Sequence, residues 1–196
     1  MNPRPIPVAL DYGFADSKRT ITGDGLLGSV FRIAGPVDLE ALYRFEMLCF
    51  KDHPFRRDHI AWILGNDRAL TLVEDADEAL TAVMMLLFEG RTCRVLSVGV
   101  VPDARRRGIA TRLMQIAEAF SRKRGCATIR LEVSTENLAA IELYRRLGYR
   151  TDGVLYGYYS WGEDAYSMEK PVPHALSEAA PEPSAISPYE SININR

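Results

Sequence analysis

The run Val98-Gly-Val-Val-Pro-Asp-Ala-Arg-Arg-Arg-Gly-Ile-Ala-Thr111 sets three consecutive arginines and two small residues between a strand-like and a helix-like segment. Pro102 ends the strand, because it has no N–H to offer a sheet ladder. Gly108 and Ala110 put no bulky side chain in the way of a ligand approaching the main chain. The first-turn N–H groups of the following helix lack intrahelical acceptors, and the positive end of the helix dipole favours an anion. Arg105, Arg106 and Arg107 bring mobile charge to the same point. This chemistry suits a pyrophosphate. It is not a P-loop, since no Gly-Lys-Ser/Thr follows, and nucleoside triphosphate hydrolysis is not expected. The competing reading is a surface turn rich in arginine, whose glycine serves only the backbone. A second reactive group lies downstream. In Thr128–Val133, Ile129, Leu131 and Val133 share one face, so Glu132 projects to the other.

These residues need a scaffold. The chain has 196 residues, 47% hydrophobic and 26% charged, which suits one globular domain with a core of ordinary size. Lys plus Arg number 24 against 26 Asp plus Glu, a formal net charge of −2. That balance argues against general nucleic-acid or membrane-surface binding, which needs a basic excess. Cys49, Cys93 and Cys126 have neither metal-ligand spacing nor a paired framework, so buried thiols, no metal and a reducing compartment are expected. No apolar run approaches a membrane span, and the N-terminal segment lacks the apolar region of a signal peptide. A cytoplasmic protein is expected.

Residues 1–27 mix Pro, Gly and charge without periodicity, and residues 171–196 carry five prolines; both are expected to be extensions. The body should lie within 28–170. Ser29–Ala34 is expected as a first strand. Asp38 then caps a helix with Leu39, Leu42, Phe45 and Leu48 at helical spacing. Arg57–Leu64 predicts a second helix. Ala69–Glu74, Ala79–Phe88 and Thr92–Val101 predict an antiparallel meander. Ile109, Leu113, Ile116, Ala117 and Phe120 line one face of a long helix that stops near Gly125. A strand at Thr128–Val133, a short helix over Asn137–Leu147, and closing strands at Tyr149–Tyr159 and Asp164–Lys170 follow. The order predicts an α/β (α+β) domain built on a mixed sheet.

The run Val100-x-Pro102-x-x-Arg105-x-x-Gly108-Ile109-Ala110 resembles the acetyl-CoA signature of the GNAT superfamily of N-acetyltransferases. Leu131-Glu-Val-Ser-Thr-Glu-Asn-Leu-Ala-Ala-Ile-Glu-Leu-Tyr-Arg-Arg-Leu-Gly-Tyr149 is similar to a segment of the bacterial ribosomal-protein alanine N-acetyltransferases. The resemblance covers most of residues 28–170. It implies a mostly antiparallel sheet of about six or seven strands, flanked by about four helices. A splayed parallel pair, near 92–101 and 127–133, would surround the co-substrate acetyl-CoA. Val98, Gly99 and Val100 would pair with the pantetheine arm through their main chain. Arg105, Arg106, Arg107, Gly108, Ile109, Ala110 and Thr111 would hold the pyrophosphate. Asn137 would contact the cofactor, although its position suits an N-cap equally.

Amide formation from a thioester needs an uncharged amine, a polarised carbonyl and a proton for the departing thiolate. The resemblance implies Glu132 as general base, directly or through water, and Tyr144 as the acid at the CoA sulfur. The bland readings are a strand carboxylate paired with Arg130 or another arginine, and a tyrosine packed between helix and sheet. Tyr158 and Tyr159 would help form a peptide slot, with Gly157 where similar members tend to carry Asn. Tyr156 and Trp161 crowd the same hairpin. Cys49–Asp58, with Phe55 as a substrate contact, would form the opposite wall. His53 and His59 are candidate substrate contacts, with surface histidines without a role the expected reading. The expected acceptor is the N-terminal α-amine of a protein or peptide, taken by a monomer or homodimer. The alternatives are a lysine side chain or small-molecule amine, and a non-catalytic CoA-binding module.

Overall fold

A computed structural model describes residues 20–22, 30–51, 53–76 and 79–173 of the protein. One eight-stranded sheet runs through it. The strands are β1 (Thr20–Thr22), β2 (Val30–Ile33), β3 (Ala69–Ala76), β4 (Ala79–Glu89), β5 (Thr92–Val100), β6 (Thr128–Ser134), β7 (Arg150–Leu155) and β8 (Ala165–Pro171), and the helices are α1 (Leu39–Cys49), α2 (Arg57–Leu64), α3 (Ile109–Lys123) and α4 (Leu138–Arg146). The spatial order is β1-β2-β3-β4-β5-β6-β8-β7. Every pairing is antiparallel except β5 with β6. Seven strands are the expected set. The eighth is the three-residue β1, which pairs with β2 from within the segment expected as an N-terminal extension. Residues 1–19 and 174–196 lie outside the described residues.

Alternation along the central strands separates two cores. Val73, Val83 and Met85 face α1 and α2, packing on Leu42, Phe45, Ile60 and Ile63. Leu72, Met84, Leu86, Cys93, Val95, Ile129, Leu131 and Val133 face the other way, onto Leu113, Met114, Ala117 and Phe120 of α3 and Ile141 and Tyr144 of α4. Cys49 is half-buried while Cys93 and Cys126 are buried, and burial pushes all three thiols up. None is a ready nucleophile at neutral pH.

Several boundaries differ from the expectation for identifiable reasons. A 3-10 turn at Pro36–Asp38 precedes α1, so Asp38 is already helical and makes no side-chain cap there. Its carboxylate instead accepts the Gly35 N–H at 2.8 Å and pairs with Arg32. Leu48, on the predicted apolar stripe, is exposed, whereas Glu46 is buried. β7 stops at Leu155, four residues before the expected end, because Gly157 takes φ +56 and its N–H turns to the Asp164 carboxylate at 2.7 Å. At the C-terminal side the body continues past 170. Pro171 pairs with Thr128, and buried Val172 donates its N–H to the Ala127 carbonyl at 2.8 Å.

The feature that positions the site is in β5. Leu86 pairs with Val95 but Met85 pairs with Ser97, so Leu96 is an extra residue in a β-bulge. The parallel ladder to β6 runs from Thr92↔Thr128 to Val95↔Leu131 and ends at the same place. Beyond it the two strands part. The C-terminal end of α1 presses on the freed part of β5. A Cβ on Gly99 would lie 2.7 Å from Phe45 Cε1 and 3.2 Å from Phe50 Cε2. Gly99→Ala is therefore expected to displace both rings and cost about 1–3 kcal/mol, read as a melting temperature several degrees lower. An unchanged melting temperature would contradict this close approach.

Candidate active site

Past the bulge, β5 keeps β4 on one side and has β6 no longer on the other. The Val101 N–H bonds to the Thr81 carbonyl at 3.0 Å, on the β4 side. Main-chain groups alternate along a strand, so those of Val100 and Val98 point into the opening. The Val100 carbonyl there accepts a hydrogen bond from Arg105 Nε at 3.0 Å. Of the three residues expected to pair with a pantetheine arm, Val98 and Val100 present this edge. Gly99 has its side-chain position against Phe45 and Phe50.

The chain then turns through a 3-10 segment, Pro102–Ala104, into α3. Arg106 has φ 66, the one positive value among the described non-glycine residues, and Gly108 has φ 77 as the N-cap. This left-handed pair coils the main chain so that successive amides converge, a geometry that favours anions. Nothing lies within 4 Å of the Cβ position of Gly108. The first intrahelical bond runs from the Arg112 N–H to the Gly108 carbonyl at 3.1 Å. That leaves the amides of Gly108, Ile109, Ala110 and Thr111 as the helix's uncommitted donors. Gly108 supplies no side-chain cap, and the first turn contains no acidic residue. Arg105, Arg106 and Arg107 are exposed around them, with Arg107 Nη2 held on the Asp103 carbonyl at 2.9 Å. Arg112 instead turns inward, toward buried Glu74 at 3.8 Å. Asn137 caps α4, its Oδ1 accepting the Ala140 N–H at 3.1 Å. Its side-chain N–H groups are not used by that cap.

Glu132 lies one residue past the last ladder pair and projects to the α1/α2 face. Its Oε2 accepts from Arg94 Nη2 at 3.0 Å. Arg130 is not its partner; that side chain binds Asp152, Glu169 and Ser167. Burial, and next the Glu132 charge, pushes the Tyr158 pKa up, with the Arg94 charge acting against them. Tyr144 approaches from the opposite face, on α4, with its ring edge-on to Tyr149 at 5.9 Å. Burial, and secondarily Tyr159, pushes the Tyr144 pKa up to about 12. The phenol stays protonated across the range in which amines lose their protons. A continuous sheet would keep Glu132 and Tyr144 apart. The opening between β5 and β6 begins at the end of the ladder, next to Glu132.

Two segments wall the α1/α2 side. One is the loop after α1, with half-buried Phe55 edge-on to His59 at 6.3 Å. The other is the loop between β7 and β8. Tyr158 meets Tyr159 edge-on at 5.1 Å, Tyr159 stacks on Trp161 at 4.4 Å, and Trp161 stacks on His53 at 3.5 Å. The two walls touch through that last contact. His53, read from sequence as a surface histidine, is part of it. The loop's base is tied to the sheet where Ser134 Oγ donates to Glu163 Oε2 at 2.5 Å.

Comparison with known proteins decides the family. Residues 37–149 match the model of the Acetyltransferase (GNAT) family. The chain belongs to this family. An N-alpha-acetyltransferase of Saccharolobus solfataricus is 40% identical over 83 residues, which are 42% of this chain and 50% of that protein. The chain thus spans about half the length of that curated relative. The N-terminal acetyltransferase A complex catalytic subunit NAA10 of Arabidopsis thaliana is 30% identical over 139 residues, covering 68% of this chain and 72% of its own. The crystal structure of the ribosomal-protein-S18-alanine N-acetyltransferase from Escherichia coli superposes with a TM-score of 0.70 at 26% identity, over 78% of this chain and 99% of the other. The mixed sheet, with its splayed parallel pair and four helices, is the GNAT-like fold.

Within this GNAT domain two residues at the site were not singled out by sequence, Glu46 and Arg94. Glu46 is 2% exposed on α1. Its Oε2 accepts the Phe55 N–H at 3.1 Å and its Oε1 accepts the Ser97 hydroxyl at 3.2 Å. One carboxyl thereby ties the substrate-side wall to β5 beside the bulge. The signal was a glutamate on the apolar side of α1, adjacent to Phe45. Burial pushes its pKa up, against the two hydrogen bonds. The native state then holds the Glu46 proton more tightly than the unfolded chain does. Its contribution is full below the ordinary glutamate pKa and is lost as pH rises through the higher native value. Relative to Glu46→Gln, wild-type stability should therefore increase as pH falls through that window. Denaturant melts of both proteins at a series of pH values check this, and parallel curves would refute it.

Proposed function

We propose that the protein transfers the acetyl group of acetyl-CoA to the N-terminal α-amine of a protein or peptide. The observation that carries this reading is the parted pair β5/β6, with an unpaired strand edge, a cluster of helix N-terminal amides at one end, and Glu132 and Tyr144 entering from opposite faces. The pantetheine arm would lie along Val98 and Val100 as an added strand. Its pyrophosphate would meet the amides of Gly108, Ile109, Ala110 and Thr111, ringed by Arg105, Arg106 and Arg107. Asn137 would offer its amide N–H groups while its oxygen caps α4.

The acceptor ammonium gives a proton to Glu132, directly or through water, and the freed nitrogen lone pair attacks the thioester carbonyl. The N–C bond forms, the C–S bond breaks with its electron pair left on sulfur, and the second proton shed by the nitrogen ends on that thiolate to give CoA–SH. A phenol of pKa about 12 is a weaker acid than a thiol near 8.5, so Tyr144 stabilises the departing thiolate chiefly as a hydrogen-bond donor. Acceptor choice follows from the same chemistry. At pH 7 roughly a tenth of an α-amine is already neutral, against roughly one in 2,500 of a lysine side chain. The ring contact between His53 and Trp161 would narrow the approach to the site, which fits a chain terminus. Names of similar proteins, N-alpha-acetyltransferases from an archaeon and a plant N-terminal acetyltransferase subunit, support the α-amine.

The identifying experiment is a peptide-array acetylation assay with acetyl-CoA, run beside a panel of free amines and followed by mass-spectrometric site mapping. Acetylation of free amines or lysines alone would overturn the acceptor assignment. Glu132→Gln and Tyr144→Phe should each lower turnover by roughly ten- to a thousandfold while CoA affinity stays within about twofold. Wild-type turnover in both would remove their roles. Gly108→Glu should weaken CoA binding in a calorimetric titration, by blocking and repelling the pyrophosphate; unchanged affinity would sink the phosphate-turn assignment. Trp161→Ala should raise the acceptor KM severalfold and leave the acetyl-CoA KM unchanged, whereas no change in either would show that the ring contact does not shape the slot.

A further inference from the structure

We infer that Arg94 is a positioning residue for acetyl transfer, clamping the Glu132 carboxylate across the point where β5 and β6 separate. The inference rests on the proposed role of Glu132. Arg94 occupies the next-to-last rung of the parallel ladder, opposite Arg130, and Val95↔Leu131 is the last. Glu132 is the first residue of β6 with no main-chain partner on β5. Its backbone is held only from the other side, where it registers with Ser167 of β8. The Arg94 Nη2–Glu132 Oε2 bond at 3.0 Å spans the gap that the ladder leaves.

Partner selection around the pair is complete. Arg94 and Arg130 project to the same face from adjacent strands, where like charges directly opposite repel. They are separated by their acids, Arg94 onto Glu132 and Arg130 onto Asp152 and Glu169. Glu132 therefore has one arginine of its own. Engaging Oε2 fixes the plane of the carboxylate and leaves its Oε1 to the acceptor amine. The pair is partly shielded, with side-chain exposures of 35% for Arg94 and 16% for Glu132, so bulk water does not erase the orientation. The guanidinium also places a positive charge beside the amine, which disfavours its ammonium form. Both effects help an α-amine that must arrive at a fixed carboxylate and lose its proton there.

The test is steady-state kinetics of the full chain with acetyl-CoA and a lysine-free peptide library bearing free α-amines. Wild type, Arg94→Met, Arg94→Lys, Glu132→Gln and the Arg94→Met/Glu132→Gln double variant are compared, with melting temperatures as a folding control. Arg94→Met should lower kcat roughly ten- to a hundredfold, the range for losing a hydrogen bond to a charged group. The acetyl-CoA KM should stay within about twofold, and Arg94→Lys should recover part of the loss. The double variant should be no slower than Glu132→Gln alone, because Arg94 acts only through that carboxylate. Wild-type kcat in Arg94→Met beside an impaired Glu132→Gln overturns the inference and spares the role of Glu132. Losses that multiply in the double variant do the same, as does equal loss in the Lys and Met variants accompanied by a lowered melting temperature. Wild-type kcat in Glu132→Gln overturns the role of the carboxylate and the inference with it. No turnover of the library by the wild type overturns the acceptor reading and the inference together.

Discussion

One extra residue in β5 governs the site. With Leu96 bulged out, β5 changes direction just where the ladder to β6 ends, and the strands part instead of continuing in register. A parallel pair buried on both faces normally saturates its main-chain groups. Here Val98 and Val100 keep theirs turned into an opening, at the centre of the sheet and with apolar cores on either face. The exposed backbone edge, the approach of Glu132 and Tyr144 from opposite sides, and the nearness of the α3 N-terminus all follow from that one irregularity. The unpaired edge is the part of the sheet that a bound strand-like ligand would complete.

The surroundings of the opening are arranged to keep charge under control. On the α3/α4 side a tyrosine is buried deeply enough to hold its proton well above neutral pH. Buried Glu46 and Glu74 and half-buried Glu132, set on the two faces of the sheet, each have an assigned donor. Glu46 takes a backbone N–H and a hydroxyl, Glu132 an arginine, and Glu74 a threonine hydroxyl and Arg112. Leaving any of these acids without partners would cost on the order of a few kcal/mol. The site is thus electrostatically organised by the fold itself, consistent with catalysis that relies on preset dipoles and charges.

The sequence exposed what is local and hid what is long-range. The strand–turn–helix at 98–111 was legible because proline, glycine and helical periodicity act within a few residues of each other. Glu132 could be placed on the face opposite Leu131 by alternation alone. The bulge could not be seen, because Leu96 is apolar and only its partner strand reveals that it is extra. The Arg94–Glu132 and Glu46–Ser97 contacts join residues 38 and 51 positions apart, a register no local pattern encodes. The closing hairpin misled for a related reason. Its run of aromatics has high strand propensity, but Gly157 and the Asp164 carboxylate turn the chain, so the tyrosines sit on a loop. Asp38 satisfied the local rule for a cap and was diverted by Arg32 and the preceding proline turn.

The short ladder between β5 and β6 has a mechanical meaning. Four residue pairs, Thr92↔Thr128 through Val95↔Leu131, join the five strands β1–β5 to the three strands β6, β8 and β7. The molecule is in effect two leaves sharing a narrow spine, with α3 as the crossover between them. The loop bearing His53 follows α1, which packs on the larger leaf, and Trp161 belongs to the smaller. Their face-to-face contact crosses from leaf to leaf away from the spine, where a small rotation produces the largest separation. A stack of two rings is weak by itself, but it ties the leaves at a second point, apart from the ladder. The leaves are thus joined twice, once by main-chain hydrogen bonds and once by side chains alone.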